Sequence, residues 1–348
     1  MPTEPIADRA VDRSRRRVLL GAAGATLAGL AGCIARGYES DLEGEIRMDG
    51  SNTVLPHGAV VSEEFQWRNN RVQIPVRGSG TGAGFQRFCD GETHVQNASR
   101  PIFDDGGEDE GALCTANGIE YVELETALDG LAVFVHPDND WCDCLTVDEL
   151  ARIWETGSDV ERWSGVREGW PDEEIELYGR DPASGTFDYF TENITGEVGN
   201  IRSDYSASAD TNVIVRGVRG SQYALGFGGA GYYYENEDEL ELVGVDNGEG
   251  CIEPTKATIE SGDYEPLTRP LYTYFRADAL AREEVRSFAR FYFEEIDGEA
   301  TEADIVEPGE SLTWTQWAAR RVGYYAIPDD QIDDRRETLA GAIAEVTE

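Results

Sequence analysis

Ile175-Glu-Leu-Tyr-Gly-Arg-Asp-Pro-Ala-Ser-Gly-Thr-Phe-Asp-Tyr-Phe190 holds a strand, a turn and a helix start within sixteen residues. Ile175 to Tyr178 has the composition of a short strand, and Gly179 to Pro182 that of a turn. Ser184-Gly-Thr186 then reads as the cap of a helix running through Phe187, Tyr189 and Phe190. Such a layout aims free backbone N–H groups at one point, where the hydroxyls of Ser184 and Thr186 and the guanidinium of Arg180 can join them around an oxyanion.

Two units of the same kind stand upstream. Glu45 to Met48 reads as a strand, and Asp49-Gly-Ser-Asn-Thr53 as a turn capping a helix that turns Val60, Val61 and Phe65 inward. Val72 to Arg77 alternates Val72, Ile74 and Val76, then enters Gly78-Ser-Gly-Thr-Gly-Ala-Gly84 and a helix from Phe85 to Cys89. Val95 to Arg100 follows as a third strand and turn. Repeated strand-turn-helix units predict an α/β protein with a parallel sheet and a ligand site at the carboxyl ends of its strands. Gly78, Gly80 and Ala83 also fit a dinucleotide fingerprint, but the acidic residue expected about twenty positions on is missing. No Walker lysine exists either, because Lys256 is the only lysine and no glycine loop precedes it.

A chain of 348 residues predicts two domains. The net charge of -40, from 69 Asp and Glu against 29 Lys and Arg, excludes nucleic acid and anionic lipid headgroups as partners. Aromatic residues spread along a chain that is 40% hydrophobic argue for a folded protein with a halophile's surface, whose self-repulsion molar salt screens. Ser14-Arg-Arg-Arg-Val-Leu-Leu20 and the small, apolar run from Gly21 to Ala31 read as a twin-arginine export signal. Leu30-Ala-Gly-Cys33 resembles a lipoprotein box, with Cys33 as the lipid anchor, residues 1–32 as the signal and 33–44 as a tether. Without residues 1–32, which carry five arginines and three carboxylates, the remainder has a net charge of -42. Cys89, Cys114, Cys142, Cys144 and Cys251 remain, an odd number of structural cysteines that leaves at least one thiol without an internal partner. They do not stand at zinc spacing with His57, His94 or His136, and neither a metal nor a cofactor is expected.

Further along, Gly130 to Val135 reads as a buried strand and Leu145 to Trp154 as an amphipathic helix capped by Thr146. Ser206, Ser208, Asp210 and Asn212 precede an apolar helix, with Ser208 and Asp210 reading as caps as well as they read as ligand contacts. Tyr223 to Tyr232 is a glycine-rich strand and turn, and Leu271 to Phe275 another strand. Helices over Val285 to Tyr292 and Leu339 to Val346 complete the chain.

In this order the chain resembles the PstS family, the phosphate-binding proteins of the phosphate-specific ABC importer. The segments that carry the resemblance are Asp49–Pro56, Val76–Phe85, Asn97–Ile102, Asp129–Val133, Ser184–Phe190, Ala224–Phe227 and Pro266–Leu271. The resemblance implies a type II periplasmic-binding-protein fold, two α/β lobes around a ligand cleft, with crossings near 134–139 and 267–274. Lobe one would combine 45–135 with 270–348, and lobe two would hold 136–269. It further implies a monomeric, non-enzymatic receptor that captures inorganic phosphate and passes it to an ABC permease. Ser51, Thr53, the N–H of Val54, Thr81, Arg180, Ser184, the N–H of Gly185 and Thr186 fall on the family's ligand contacts.

Two positions depart from the family. An aspartate that accepts a hydrogen bond from protonated phosphate is replaced by His94, whose neutral imidazole accepts one bond but whose cation favours a fully deprotonated anion. Pro182 stands where the family has an acid two residues after the arginine, which leaves Asp181 to pair with Arg180. A receptor of the same fold for sulfate, molybdate or tungstate, an extracellular phosphoryl hydrolase and a sensor domain are the competing readings.

Overall fold

The computed structural model describes residues 41–103, 110–182, 184–234, 238–296 and 311–347. Cys33, the export signal and most of the tether lie outside them. In chain order come β1 (Glu43–Glu45), β2 (Met48–Gly50), α1 (Leu55–Arg68), β3 (Arg71–Gln73), α2 (Thr81–Cys89), β4 (Val95–Ala98), α3 (Glu110–Ala116) and β5 (Tyr121–Val135). They are followed by β6 (Cys144–Thr146), α4 (Val147–Trp154), α5 (Trp163–Val166), β7 (Glu176–Arg180), α6 (Gly185–Thr195), β8 (Ser206–Ser208) and α7 (Thr211–Val218). β9 (Ala224–Gly229), α8 (Ala230–Tyr234), β10 (Glu241–Asp246), β11 (Cys251–Ile252), α9 (Lys256–Glu260) and β12 (Thr268–Arg276) come next. The last helices are α10 (Glu283–Phe291), α11 (Trp314–Arg321) and α12 (Asp329–Thr347).

The main sheet has the order β2-β4-β12-β5-β9-β7-β8, and β10 joins β5 to β6 and β11. It is mixed, where the repeated strand-turn-helix pattern predicts parallel pairing throughout. β2 with β4, and β7 with β8 and β9, are parallel. These strands are linked by helical crossovers, and a parallel neighbour needs a crossover of about a dozen residues or more. β12 runs antiparallel to β4 and β5, and β5 antiparallel to β9. β5 begins well before the expected Gly130, because Tyr121-Val-Glu-Leu-Glu125 alternates buried and solvent-facing residues before the strand becomes buried throughout from Thr126 on. It changes partners between Gly130, the last residue paired with β12, and Leu131, the first paired with β9. That switch precedes the expected 134–139, where His136 to Asn139 forms a turn.

Caps and aromatic packing fix the helices. The Thr146 hydroxyl accepts from the N–H of Glu149 while the Glu149 carboxylate accepts from that of Thr146, a capping box that starts α4. Ser184 caps α6, and Gly196, at φ 80°, ends it in the left-handed conformation that glycine adopts without strain. Phe190 of α6 stacks on Phe227 of β9 with ring centroids 3.8 Å apart, and Trp154 of α4 meets both edge-on. At β4 and β12, Phe85 and Phe88 of α2 pack with Ala98 and Tyr274 beside the Cys89–Cys114 disulfide. A second disulfide joins Cys144 to Cys251, and Cys142 is the odd thiol, buried, with its pKa pushed up by that burial.

Candidate anion-binding site

Helix starts gather where strands end. β2 leads into α1, the loop after Val76 into α2, β7 into α6 and β8 into α7. The starts of α1, α2 and α6 open on one cleft of about 720 Å³, whose walls include Ser51, Thr53, Gly80, Thr81, Ser99 and Gly185. Each brings unpaired N–H groups and the positive end of a helix dipole.

The turns carrying these starts are held rigidly. The Ser51 hydroxyl accepts from the N–H of Thr53 at 3.2 Å, and the Thr53 carbonyl accepts from the Tyr324 hydroxyl at 2.6 Å. Asp49, buried behind them, accepts from the hydroxyl of Ser79 at 2.7 Å, its N–H at 3.1 Å and the N–H of Gly50 at 2.8 Å, and pairs with Arg87. Burial opposes the Asp49 charge, but these hydrogen bonds outweigh it and hold the carboxyl below its ordinary pKa. The Thr81 and Ser99 hydroxyls meet at 3.1 Å. Gly185 faces Thr53 so closely that a Cβ there would stand 2.0 Å from the Thr53 hydroxyl and 3.2 Å from its Cα, so any larger residue would push the two turns apart.

Behind Gly185 lies a guanidinium with neutral partners. Arg180 donates from Nε to the Ser184 hydroxyl at 3.0 Å and from Nη1 to the Thr211 hydroxyl at 2.7 Å. Among the described residues no carboxylate comes within ion-pair distance of it, and the expected Asp181 pair does not form. The Ser184 hydroxyl also accepts from the N–H of Thr186 at 3.2 Å. Hydroxyls can turn and a guanidinium keeps its charge, so this group can take an anion by charge-assisted hydrogen bonds.

The guanidinium of Arg269, on the cleft wall itself, is in a different state. Arg269 lies over the Tyr189 ring at 3.8 Å, stands 3.3 Å from Asp129 and donates to the Thr53 hydroxyl at 3.3 Å. Burial pushes the Asp129 carboxyl up in pKa, against the pull of Arg269. Arg100, also on the cleft wall, is forked onto Glu110 at 2.5 and 2.9 Å.

A profile of the PBP superfamily domain matches residues 36–295. SphX of Synechocystis is 40% identical over 283 residues, 80% of this chain and 82% of that protein. The phosphate-binding protein PstS of Staphylococcus saprophyticus is 38% identical over 266 residues, 76% of this chain and 80% of that one. The chain belongs to the PstS family. A crystal structure described as a possible phosphate binding protein from Planctomyces limnophilus superposes with a TM-score of 0.75 at 42% identity, covering 86% of this chain and 99% of that one. The fold is the periplasmic-binding-protein fold of that family.

Of the positions that the PstS resemblance implies, Ser51, Thr53, Thr81 and Gly185 line the cleft. Val54 is buried directly after Thr53 at the start of α1, and Ser184, Thr186 and Arg180 cluster one layer behind Gly185. His94, expected as a ligand contact, stands apart from the cleft wall. Its Nδ1 accepts from the N–H of Arg47 at 3.0 Å and its Nε2 faces the guanidinium of Arg282 at 2.8 Å, the residue being 5% exposed and away from the cleft wall. Burial, with the charges of Arg282, Arg47 and Arg276, pushes its pKa down to about 4, so the ring is neutral at neutral pH. Ser99, Arg100, Asp188, Tyr189, Arg269 and Thr211 were missed. Ser99 and Arg100 follow the carboxyl end of β4, a position that strand-end reasoning marks, and Asp188 follows Gly185 by three residues on the same helix face.

Proposed function

We propose that this chain is an extracellular receptor for inorganic phosphate. It closes two lobes, 45–135 with 270–348 and 136–269, over the ion and delivers it to an ABC permease. β5 and β12 are the crossings about which the lobes move, and capture is by binding rather than by chemistry. The reading extends to the segment outside the described residues: twin-arginine export, lipidation at Cys33 and a surface adapted to molar salt.

The observation that carries it is Arg180, a half-buried guanidinium held by the hydroxyls of Ser184 and Thr211 at the starts of α6 and α7, one layer behind Gly185 of the cleft wall. Anions are drawn there although the protein is strongly acidic, because local N–H groups and one cation act at contact distance while surface carboxylates are screened. The names of the Staphylococcus and Planctomyces relatives point to the same ion. Titration calorimetry in molar KCl tests it. Phosphate should bind with one-site stoichiometry and sulfate should fail to compete; equal binding of sulfate, or turnover of a chromogenic phosphate ester, would replace this reading with one of its rivals.

A further inference from the structure

We propose that Tyr324 is a positioning residue for anion capture: its hydroxyl pins the peptide between Thr53 and Val54, so that the N–H of Val54 faces the ligand. The inference rests on the phosphate-capture reading and adds to it a residue that acts through another residue's donor.

The peptide is gripped from one side. The Tyr324 hydroxyl donates to the Thr53 carbonyl at 2.6 Å, across 271 positions of sequence. That peptide is trans, so its carbonyl and its N–H point to opposite sides of one plane. Holding the carbonyl toward Tyr324 therefore aims the N–H away from it, at the start of α1, where the first N–H groups of a helix project without internal partners. Thr53 lines the cleft, and among the described residues no hydrogen bond engages the N–H of Val54. A turn pinned in this way presents its donor before the ion arrives, and binding then costs less ordering.

Tyr324 is itself held at three points. Gly323, at φ 81°, ends α11 in the left-handed conformation. Its N–H donates to the Arg320 carbonyl at 3.1 Å, and the N–H of Tyr324 donates to the Ala319 carbonyl at 2.8 Å. The next residue, Tyr325, exchanges two backbone hydrogen bonds of 2.9 Å with Leu128 of β5. The Tyr324 ring packs on the buried cluster of Val54, Ala127, Leu271 and Ala319. A helix end, β5 and a buried cluster thus fix the hydroxyl independently of any ligand.

The test compares Tyr324→Phe, which keeps the ring and deletes the hydroxyl, with Tyr325→Phe, which deletes the neighbouring one. Phosphate calorimetry, urea unfolding and amide spectra of nitrogen-15-labelled valine are recorded in molar KCl, with the Val54 signal assigned by its loss in Val54→Ile. In the wild type, phosphate should move the Val54 amide proton downfield. Tyr324→Phe should lose that shift and weaken phosphate at least about fivefold, the scale of one hydrogen bond, while Tyr325→Phe should keep the shift and stay within about twofold. A Val54 amide that phosphate leaves unmoved in the wild type overturns the inference and leaves phosphate capture intact. Wild-type affinity in Tyr324→Phe, with only its unfolding free energy lowered, also overturns it, because the hydroxyl would then be structural alone. Equal losses in both variants overturn it in favour of a general loosening of the chain after α11. A wild type that takes no phosphate defeats the capture reading itself, and this inference with it.

Discussion

Arg269 stands on the cleft wall and Arg180 one layer behind it, and their charges are engaged differently. Arg269 is the cross-strand neighbour of Asp129, is 14% exposed and rests on the Tyr189 ring. Arg180 touches two hydroxyls. A guanidinium facing a buried carboxylate holds two strands of the sheet together, whereas one facing hydroxyls keeps its charge for a ligand. On this difference we read Arg269 as a structural cation and propose Arg180 as the binding one, although in the sequence both are arginines next to or near a proline.

Removing the structural cation should have the largest effect. Arg269→Ala leaves Asp129 buried without its partner, and we expect a loss of about 3 to 5 kcal/mol in urea unfolding. A shift below about 1 kcal/mol, the scale of an exposed pair, would mean that Arg269 is not structural.

His57 extends the comparison to a buried group with no acid beside it. Its Nε2 lies 3.1 Å from the Thr315 carbonyl, and burial pushes its pKa down to about 4 against the pull of that carbonyl. The unfolded imidazole titrates near about 6.5. The folded state therefore holds fewer protons between these values, and the stability present above pH 6.5 is lost as the pH falls toward 4. The loss should be on the order of 2 to 3 kcal/mol. Unfolding midpoints from pH 7 to pH 4 should fall less steeply in His57→Gln than in the wild type; parallel curves would remove His57 as the cause.

The binding cation should behave in the opposite way to Arg269. Arg180→Ala should weaken phosphate binding at least roughly tenfold, about 1.5 kcal/mol, the scale of one charge-assisted bond. Its unfolding free energy should change by less than about 1 kcal/mol, well below the effect of Arg269→Ala. Unchanged affinity would count against the site. Gly185→Ala sharpens the geometry, because its Cβ would strike Thr53. We expect a roughly tenfold weaker complex, about 1.4 kcal/mol, with the fold intact; wild-type affinity would mean that Gly185 and Thr53 do not meet in the bound state.

The parts of the site legible in the sequence are those written in short-range chemistry. Ser184 caps α6 and Asp210 caps α7, as their spacing to the following helices implies. The turns after β2 and β7 fall at strand ends, and the order of the segments identifies the family. What was not legible depends on long-range register. Arg269 meets Asp129 because β12 pairs with β5, and no local pattern announces a contact across 140 positions. His94 precedes β4 at a position the family uses for an acid, yet the packing of Arg282 against it, from 188 residues away, turns its ring from the cleft. The mixed sheet escaped for the same reason: β5 and β12 cross it antiparallel through pairings set by the whole fold.

The central claim is that the ion sits on Arg180. A crystal structure of the chain grown with phosphate, or with arsenate for its anomalous signal, tests this most directly. The account predicts a tetrahedral ion hydrogen-bonded to Arg180, Ser184, the N–H of Gly185 and Thr53. An ion held instead by Arg100 or Arg269, with Arg180 still donating to Thr211, would contradict it.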